Sequence, residues 1–184
     1  MGLKTELVIL GAGPAGYEAA IHAAQCGMQV ALIEKDQVGG TCLNRGCIPT
    51  KSLLYQAHQL RIAAQYAKIE IDGEALRLQK EDTVGKLQKG IAQLIKGNSI
   101  QFLHGEAKIT GPQTVSVNDE IIEAEHILIA TGSRTSVPPI PGIELAMTSD
   151  QVLQWDRPLP QQAVIIGAGV IGLEFADLLL DLGV

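Results

Sequence analysis

Cations, cysteines and long apolar runs are scarce in this chain, and each scarcity removes a class of function. Its 184 residues carry 14 Lys and Arg against 20 Asp and Glu, a formal net charge of −6. That balance argues against a broad nucleic-acid surface, which needs clustered cations to displace phosphate counterions. It argues equally against an anionic membrane. No apolar run approaches the ~18 residues of a membrane-spanning helix. The opening MGLKTELVIL is apolar only briefly, with no small-residue cleavage site and no Arg/Ser enrichment, so no targeting segment is expected. Three cysteines do not make the disulfide framework of a secreted domain. The expected compartment is a reducing cytoplasm, where a close cysteine pair is more often catalytic or metal-binding than structural. The histidines, His22, His58, His104 and His126, are scattered, and no second CxxC or H-x3-H completes a zinc set around Cys42 and Cys47. No metal site is expected.

What is plentiful is apolar residue and glycine: 46% of the chain is hydrophobic and 20 residues are Gly, ample for a globular core. Leu7–Leu10 predicts a buried parallel strand. Pro14–Cys26 predicts a helix, with Pro in its first turn and Gly27 at its end. Val30–Ile33 predicts a second strand, closed by Glu34. A loop is expected over Gly39–Thr50, then a helix from about Lys51 to Tyr66. Val84, Leu87, Ile91, Leu94 and Ile95 recur at helical spacing and predict a long helix before Gly97. Ile100–Leu103, Thr114–Val117 and Ile127–Ala130 are strand-like and separated by turns, so an antiparallel meander is expected. Residues 136–143 have the proline density of a linker. Ala163–Ile166 predicts another strand. It leads into GAGVIG at 167–172, an echo of GAGPAG at 11–16 that implies two nucleotide-binding units rather than a solenoid.

GAGPAG sits between a strand and a helix, with an acid eighteen residues past Gly16. Gly11 permits the tight turn, Gly13 lets backbone approach a pyrophosphate, and Gly16 lets helix and strand pack closely. The phosphate rests on the helix N-terminus, and Glu34 accepts from ribose hydroxyls. The stretch GGTCLNRGCIPTK, Gly39 to Lys51, raises three readings of its cysteines: metal clip, structural staple or redox couple. Metal lacks ligands, and a staple leaves the surroundings unexplained. Gly39, Gly40 and Gly46 free the backbone, Pro49 directs it, and Lys51 sits near a helix start. Reactive thiols occupy such settings, since a helix start and a cation favour the thiolate that attacks a disulfide.

That stretch resembles the active-site signature of the flavin-dependent pyridine nucleotide–disulfide oxidoreductases, most closely the dihydrolipoamide dehydrogenases. The likeness covers the whole chain through GAGPAGYEAA, ILIATGS at 127–133, PPIPGI and GAGVIGLE. It implies an α/β fold: a Rossmann-like FAD-binding domain over 1–143, a parallel sheet plus antiparallel meander, and the beginning of an NAD-binding Rossmann unit over 144–184. It implies that Gly11, Gly13, Pro14, Ala15 and Gly16 hold the ADP part of FAD, with Glu34 on its ribose and Lys35 alongside. Gly40 and Thr41 would cradle the flavin-side phosphates and Lys51 would lie near the ring. Ala107, Ala130, Thr131 and Gly132 would complete the FAD contacts. Gly167, Gly169, Gly172 and Glu174 would receive NAD. The implied roles are Cys47 in charge-transfer contact with the flavin and Cys42 exchanging with the dithiol. As a redox disulfide the pair would relay two electrons from dihydrolipoamide, or another small dithiol, through FAD to NAD⁺. A lipoyl domain of a 2-oxo acid dehydrogenase complex is an implied partner, and a homodimer the implied form of the full-length enzyme.

Relatives with other substrates share parts of this pattern. Thr50 stands where dihydrolipoamide dehydrogenases usually have Ser and glutathione reductases often Lys. Gly172 completes the NAD-type triple where NADP users often carry Ala, and mercuric reductase shares much of the cysteine signature. A non-catalytic nucleotide-binding redox sensor is the alternative outside enzymology.

The chain stops as the next strand should begin, before the acid expected ~20 residues past the last glycine. The late flavin-site Asp and the dimer domain with its His–Glu base are not in it. The expectation is a fragment that binds FAD poorly and is inactive alone. Ile171, Phe175, Leu178, Leu179 and Leu182 form an apolar stripe on the last helix, expected to lack cover. Cys26 is expected to be a small core residue, and His22 and His58 helix-surface or core-edge groups. KEDTVGKLQK at 80–89 is expected to be a solvated helix face. Trp155 is expected to cover a hinge. Arg45 either steers substrate or faces solvent.

Overall fold

Strand β1 (Leu3–Leu10), helix α1 (Pro14–Gln25) and strand β2 (Val30–Glu34) realise the predicted βαβ unit. They belong to a computed structural model that describes residues 2–154, 156 and 158–184. Trp155 lies outside the described residues. The chain gathers into two compact units, Met1–Asn44 with Lys86–Arg134, and Arg45–Gly85 with Thr135–Val184.

The first unit is built on one six-stranded sheet. Its other strands are β3 (Gln101–His104), β4 (Lys108–Gly111), β5 (Thr114–Val117) and β6 (Glu120–Ile129), in the order β3-β2-β1-β6-β5-β4. β1 runs parallel to both neighbours, Leu10 facing Ile33 of β2 and Ile129 of β6. Val8, Leu10, Ala31 and Ile33 pack on one face with Val115, Val117, Ile122 and Ala124. Ile9, Val30 and Leu32 pack on the other with Ala20, Ile95 and Ile100. Burial on both faces is why β1 ends, and β2 begins, in an unbroken apolar run. The expected meander needs correction: Ile100–Leu103 is not part of it. β3 pairs in parallel with β2 at the sheet edge, and the antiparallel part is β4–β5–β6. A helical crossover precedes β3, and such connections deliver parallel strands.

The expected loop over Gly39–Thr50 is mostly helical: α2 spans Gly40–Arg45 and α3 spans Cys47–Ala63. Gly46 divides them as the N-cap of α3. α4 (Gly73–Gly97) is the predicted long helix. Cys26 is not core. It is the exposed residue capping α1, with its Sγ 3.9 Å from Nε2 of His22, because the helix ends there at the surface.

In the second unit α5 (Ser149–Leu153) starts from a Thr148–Gln151 capping box, and α6 spans Val170–Asp181. The α6 stripe is covered after all, by a helix rather than a sheet. Phe175, Leu178 and Leu182 pack with Ala57, Leu53, Leu54 and Leu60 of α3. Ile171 stays exposed. Arg61 Nε lies 2.8 Å from Oδ1 of Asp181 and His58 Nδ1 lies 3.6 Å from Oδ2. That carboxylate ends α6, where the helix dipole opposes it, so the Arg61 guanidinium of α3 offsets the dipole. Ala163–Ile166 forms no strand. A strand needs a ladder partner, and none is present among the described residues; Val164 is 92% exposed.

Lys80 departs from the solvated face expected for 80–89. It is buried, and its Nζ donates to the Leu153 carbonyl at 2.7 Å. Burial pushes its pKa below the ordinary 10.5, with Glu81 opposing the shift. The folded state therefore releases this proton at a lower pH than the unfolded chain. Between the lowered value and 10.5 the unfolded state holds more protons, so stability rises with pH. Urea unfolding of the wild type and Lys80→Met should show this: the wild type gains on the variant as pH climbs toward 10.5.

Candidate nucleotide and redox site

In the first unit the chain leaves β1 through Gly11, at φ +101°. That is the left-handed region that glycine alone enters without strain, and a side chain there would also strike the Ala130 carbonyl. Gly13 caps α1 with extended backbone and no side-chain cap, and Pro14 takes the first helical position. A Cβ on Gly16 would fall on the carbonyl oxygen of Gly11. The helix thus starts closer to β1 than any side chain allows. Its first-turn amides have no side-chain acceptor, and its dipole favours an anion there.

β1 lies between β2 and β6, so the carboxyl ends of the three strands stand side by side. In doubly wound sheets the crevice beyond those ends receives ligands. Glu34 closes β2, with Oε2 accepting the Ala12 N–H at 2.7 Å and Oε1 the Asp36 N–H at 2.9 Å. Ala130 follows β6 and donates its N–H to the Leu10 carbonyl at 2.9 Å, ahead of Thr131 and of Gly132 at φ +69°. Gly39 donates to the Ala12 carbonyl at 2.8 Å, and Gly40 lies on Gly13: a Cβ on Gly40 would be 2.6 Å from the Gly13 Cα. Gly11–Gly16, Glu34, Gly40–Thr41 and Ala130–Gly132 are therefore brought together. Lys35 instead pairs with Glu106 at 3.5 Å, and Ala107 packs beside the Val8 cluster. Glu34→Ala should destabilise the protein by about 2 kcal/mol in urea titration, because two backbone donors lose a charged acceptor.

Cys42 is half-buried on α2. Burial first, then the neighbouring Glu18 and Cys42, push the phenol of Tyr17 up. Tyr17 and Cys42 thus share one electrostatic environment, although nothing in the spacing of the sequence marks Tyr17.

In the second unit Cys47 is exposed as the first residue of α3. Thr50 Oγ1 donates to the Gly46 carbonyl at 2.6 Å and steadies that helix start. Lys51 forms an ion pair with Glu174. Arg45 Nε lies 3.8 Å from Asp150 Oδ2. Gly167 turns at φ +108°, and Gly169 caps α6 at φ −75° and ψ 177°. Gly13 caps α1 at φ −72° and ψ −177°. A Cβ on Gly172 would fall on the Gly167 carbonyl oxygen, as on Gly16 with Gly11. The sequence echo is thus a repeated structure, the same turn built twice. Among the described residues no group of three or more His, Cys, Asp or Glu could hold a metal ion. No described helix is long and apolar enough to cross a membrane.

A family model described as pyridine nucleotide-disulphide oxidoreductase matches residues 5–184. The chain belongs to that family. Its fold is mixed α/β. Over its full length it is 39% identical to the dihydrolipoyl dehydrogenase of Bacillus subtilis and 42% identical to that of Chlamydia pneumoniae. It covers 43% and 42% of those proteins, so it spans well under two thirds of the curated relatives it matches. The HOCl-induced flavoprotein disulfide reductase RclA of Escherichia coli superposes with a TM-score of 0.84 at 34% identity, over 97% of this chain and 40% of that one. In this chain the start of the cysteine stretch, Gly39 and Gly40, lies against Ala12 and Gly13 of the glycine turn.

Proposed function

We propose that this chain works in an FAD- and NAD-dependent oxidoreductase that oxidises dihydrolipoamide, with Cys42 and Cys47 as its redox couple. One observation carries the reading: the cysteine stretch is continuous with the nucleotide cradle. Gly40 rests on Gly13, and Cys42 and then Cys47 follow at once along α2 and α3.

The residues fit the cofactor. No side chain caps the N-terminus of α1, and Gly13 and Gly40 offer bare backbone. Glu34 accepts two amides and retains lone pairs for ribose hydroxyls. Gly11, Gly13, Pro14, Ala15 and Gly16 would hold the pyrophosphate. Gly40, Thr41, Lys51, Ala107 and Ala130–Gly132 would contact the remainder, with Lys35 beside Glu34. Gly167, Gly169, Gly172 and Glu174 would take NAD. Bound FAD would supply a two-electron acceptor able to hand hydride to NAD⁺.

The chain's own part is thiol–disulfide exchange. A substrate thiolate attacks Cys42 of the Cys42–Cys47 disulfide; the S–S bond breaks and Cys47 leaves as a thiolate. The second substrate thiol attacks the mixed disulfide, releasing Cys42 and closing the substrate ring. The two electrons remain on the cysteine pair, and the two protons the substrate gives up end on its thiols. On this reading residues 1–143 are the first segment of an FAD-binding domain and 144–184 begin an NAD-binding domain. A lipoyl domain would present the dithiol, and the working form would be a cytoplasmic homodimer.

Protein expressed from the complete gene tests this. Purified, it should be yellow, release FAD on denaturation, and form NADH from NAD⁺ and dihydrolipoamide faster than NADPH from NADP⁺. A flavoprotein that oxidises NADH but ignores lipoamide would move the reading to reduction of another disulfide. A colourless protein without dithiol-dependent NADH formation would end it.

A further inference from the structure

We propose that Asn44 and Gln88 are positioning residues for Cys42, acting through the turn Gln37–Gly40; the proposal rests on the reading of Cys42 as a redox thiol. Asn44 lies in the last turn of α2. Its side-chain amide donates to three backbone carbonyls, Gly40 at 2.9 Å, Val38 at 3.1 Å and Gln37 at 3.4 Å. Two N–H groups serve three acceptors, so one contact is shared and the amide spans the whole turn. The Asn44 oxygen accepts from Gln88 Nε2 at 2.6 Å, and that Nε2 also donates to Gln37 Oε1 at 2.7 Å.

Gln88 stands on α4, which Ile91 and Ile95 fix to the sheet. So α4 holds Asn44, Asn44 holds the turn, and the turn delivers Thr41 and Cys42. The turn needs such a hold. Gly39 and Gly40 sit at φ +95° and +56°, and two consecutive glycines are the freest backbone a chain can have. On its other side the turn meets the glycine loop, through Gly39 N–H to Ala12 O at 2.8 Å and through Gly40 against Gly13. The side-chain amide therefore fixes how the cysteine helix leaves the nucleotide cradle. Only an amide does this at 44: a carboxylate cannot donate to carbonyls, and an apolar residue can do neither job. Both groups are neutral, so their action on Cys42 is geometric and not a matter of charge.

The test uses protein from the complete gene, reduced with dithiothreitol, desalted and alkylated with iodoacetamide. Adduct at each cysteine is followed by peptide mass spectrometry. In Asn44→Ala and in Gln88→Leu, Cys42 should alkylate about fivefold faster than in the wild type, the equivalent of one net hydrogen bond. Cys26 should keep its rate. Gln88→Glu keeps the size but cannot donate, and should match Gln88→Leu. The double variant should be no faster than Asn44→Ala, since both residues act on one turn. The proposal is overturned by Cys42 rates within about twofold of wild type in the single variants, by single effects that multiply in the double, or by an equal rise at Cys26. Should Asn44→Ala not fold, the Gln88 variants decide by the same criteria. The readout is the alkylation rate of one thiol and needs no turnover of flavin, nucleotide or lipoamide, so its failure is distinct from failure of the redox assignment.

Discussion

Gly16→Ala should yield a protein without bound flavin that unfolds about 3 kcal/mol or more below the wild type. Inserting a methyl into a packed site typically costs about 1–3 kcal/mol. Here the added carbon meets the Gly11 carbonyl, a backbone group that no rotamer change can move aside. Gly11 is itself pinned, with its N–H on the Ile33 carbonyl at 2.7 Å and its open face against Ala130. α1 must therefore withdraw from β1, and the amides that would receive the pyrophosphate withdraw with it. Urea titration reads the stability and the absorption spectrum of the purified protein reads the flavin. Gly172→Ala is the internal comparison. The local clash with the Gly167 carbonyl is the same, but the segment before it has no strand ladder to resist a shift. The stability loss should be smaller there. Equal losses, or a Gly16→Ala protein that keeps its flavin, would mean that close approach of helix and strand does not matter to the site.

That contrast also shows which parts of the molecule are legible in the sequence. The glycine turns are, because their geometry is set by six residues and by what a Cβ would strike. β1, α1 and β2 are legible for the same reason: apolar runs, Pro at the helix start and Glu34 at the strand end are all local. Sheet order is not local. Gln101–His104 and Thr114–Val117 are equally short and apolar, yet one joins β2 in parallel and the other pairs antiparallel with β6. What separates them is the helix before β3 and the tight turns around β5. β4 carries Lys108 and Gly111 and shows little apolar alternation, so only its pairing with β5 reveals it. Ala163–Ile166 has the composition of a strand but no partner among the described residues, and composition cannot supply one. Helix partners are hidden likewise: the α6 stripe is obvious, whereas its cover by α3 depends on Ala57 being small enough to admit Phe175 and Leu178. At the site, glycines and cysteines announce themselves. The amides of Asn44 and Gln88, 44 residues apart, do not, because a neutral polar residue on a helix is usually just solvated.

Cys42→Ser and Cys47→Ser should each lower dihydrolipoamide-dependent NADH formation at least about a thousandfold in protein from the complete gene, since neither hydroxyl can join a disulfide. The two losses should differ in kind. With oxidised lipoamide as the probe, a free Cys42 thiolate attacks a ring sulfur, opening the ring and forming a mixed disulfide that ends in a free thiol. In the wild type Cys47 then attacks the Cys42 sulfur and expels the substrate dithiol. Cys47→Ser lacks that second thiol and should hold the adduct on Cys42, visible by intact mass and removed by dithiothreitol. Cys42→Ser should hold none. Exposure alone points the other way, for Cys47 is exposed and Cys42 half-buried. If exposure governs, the adduct appears on Cys47 in Cys42→Ser and the two roles exchange. Full activity in either variant would remove the cysteine pair from the reaction altogether. The outcome therefore depends on which sulfur meets the substrate, a question of access that a thiol's place on its helix does not decide.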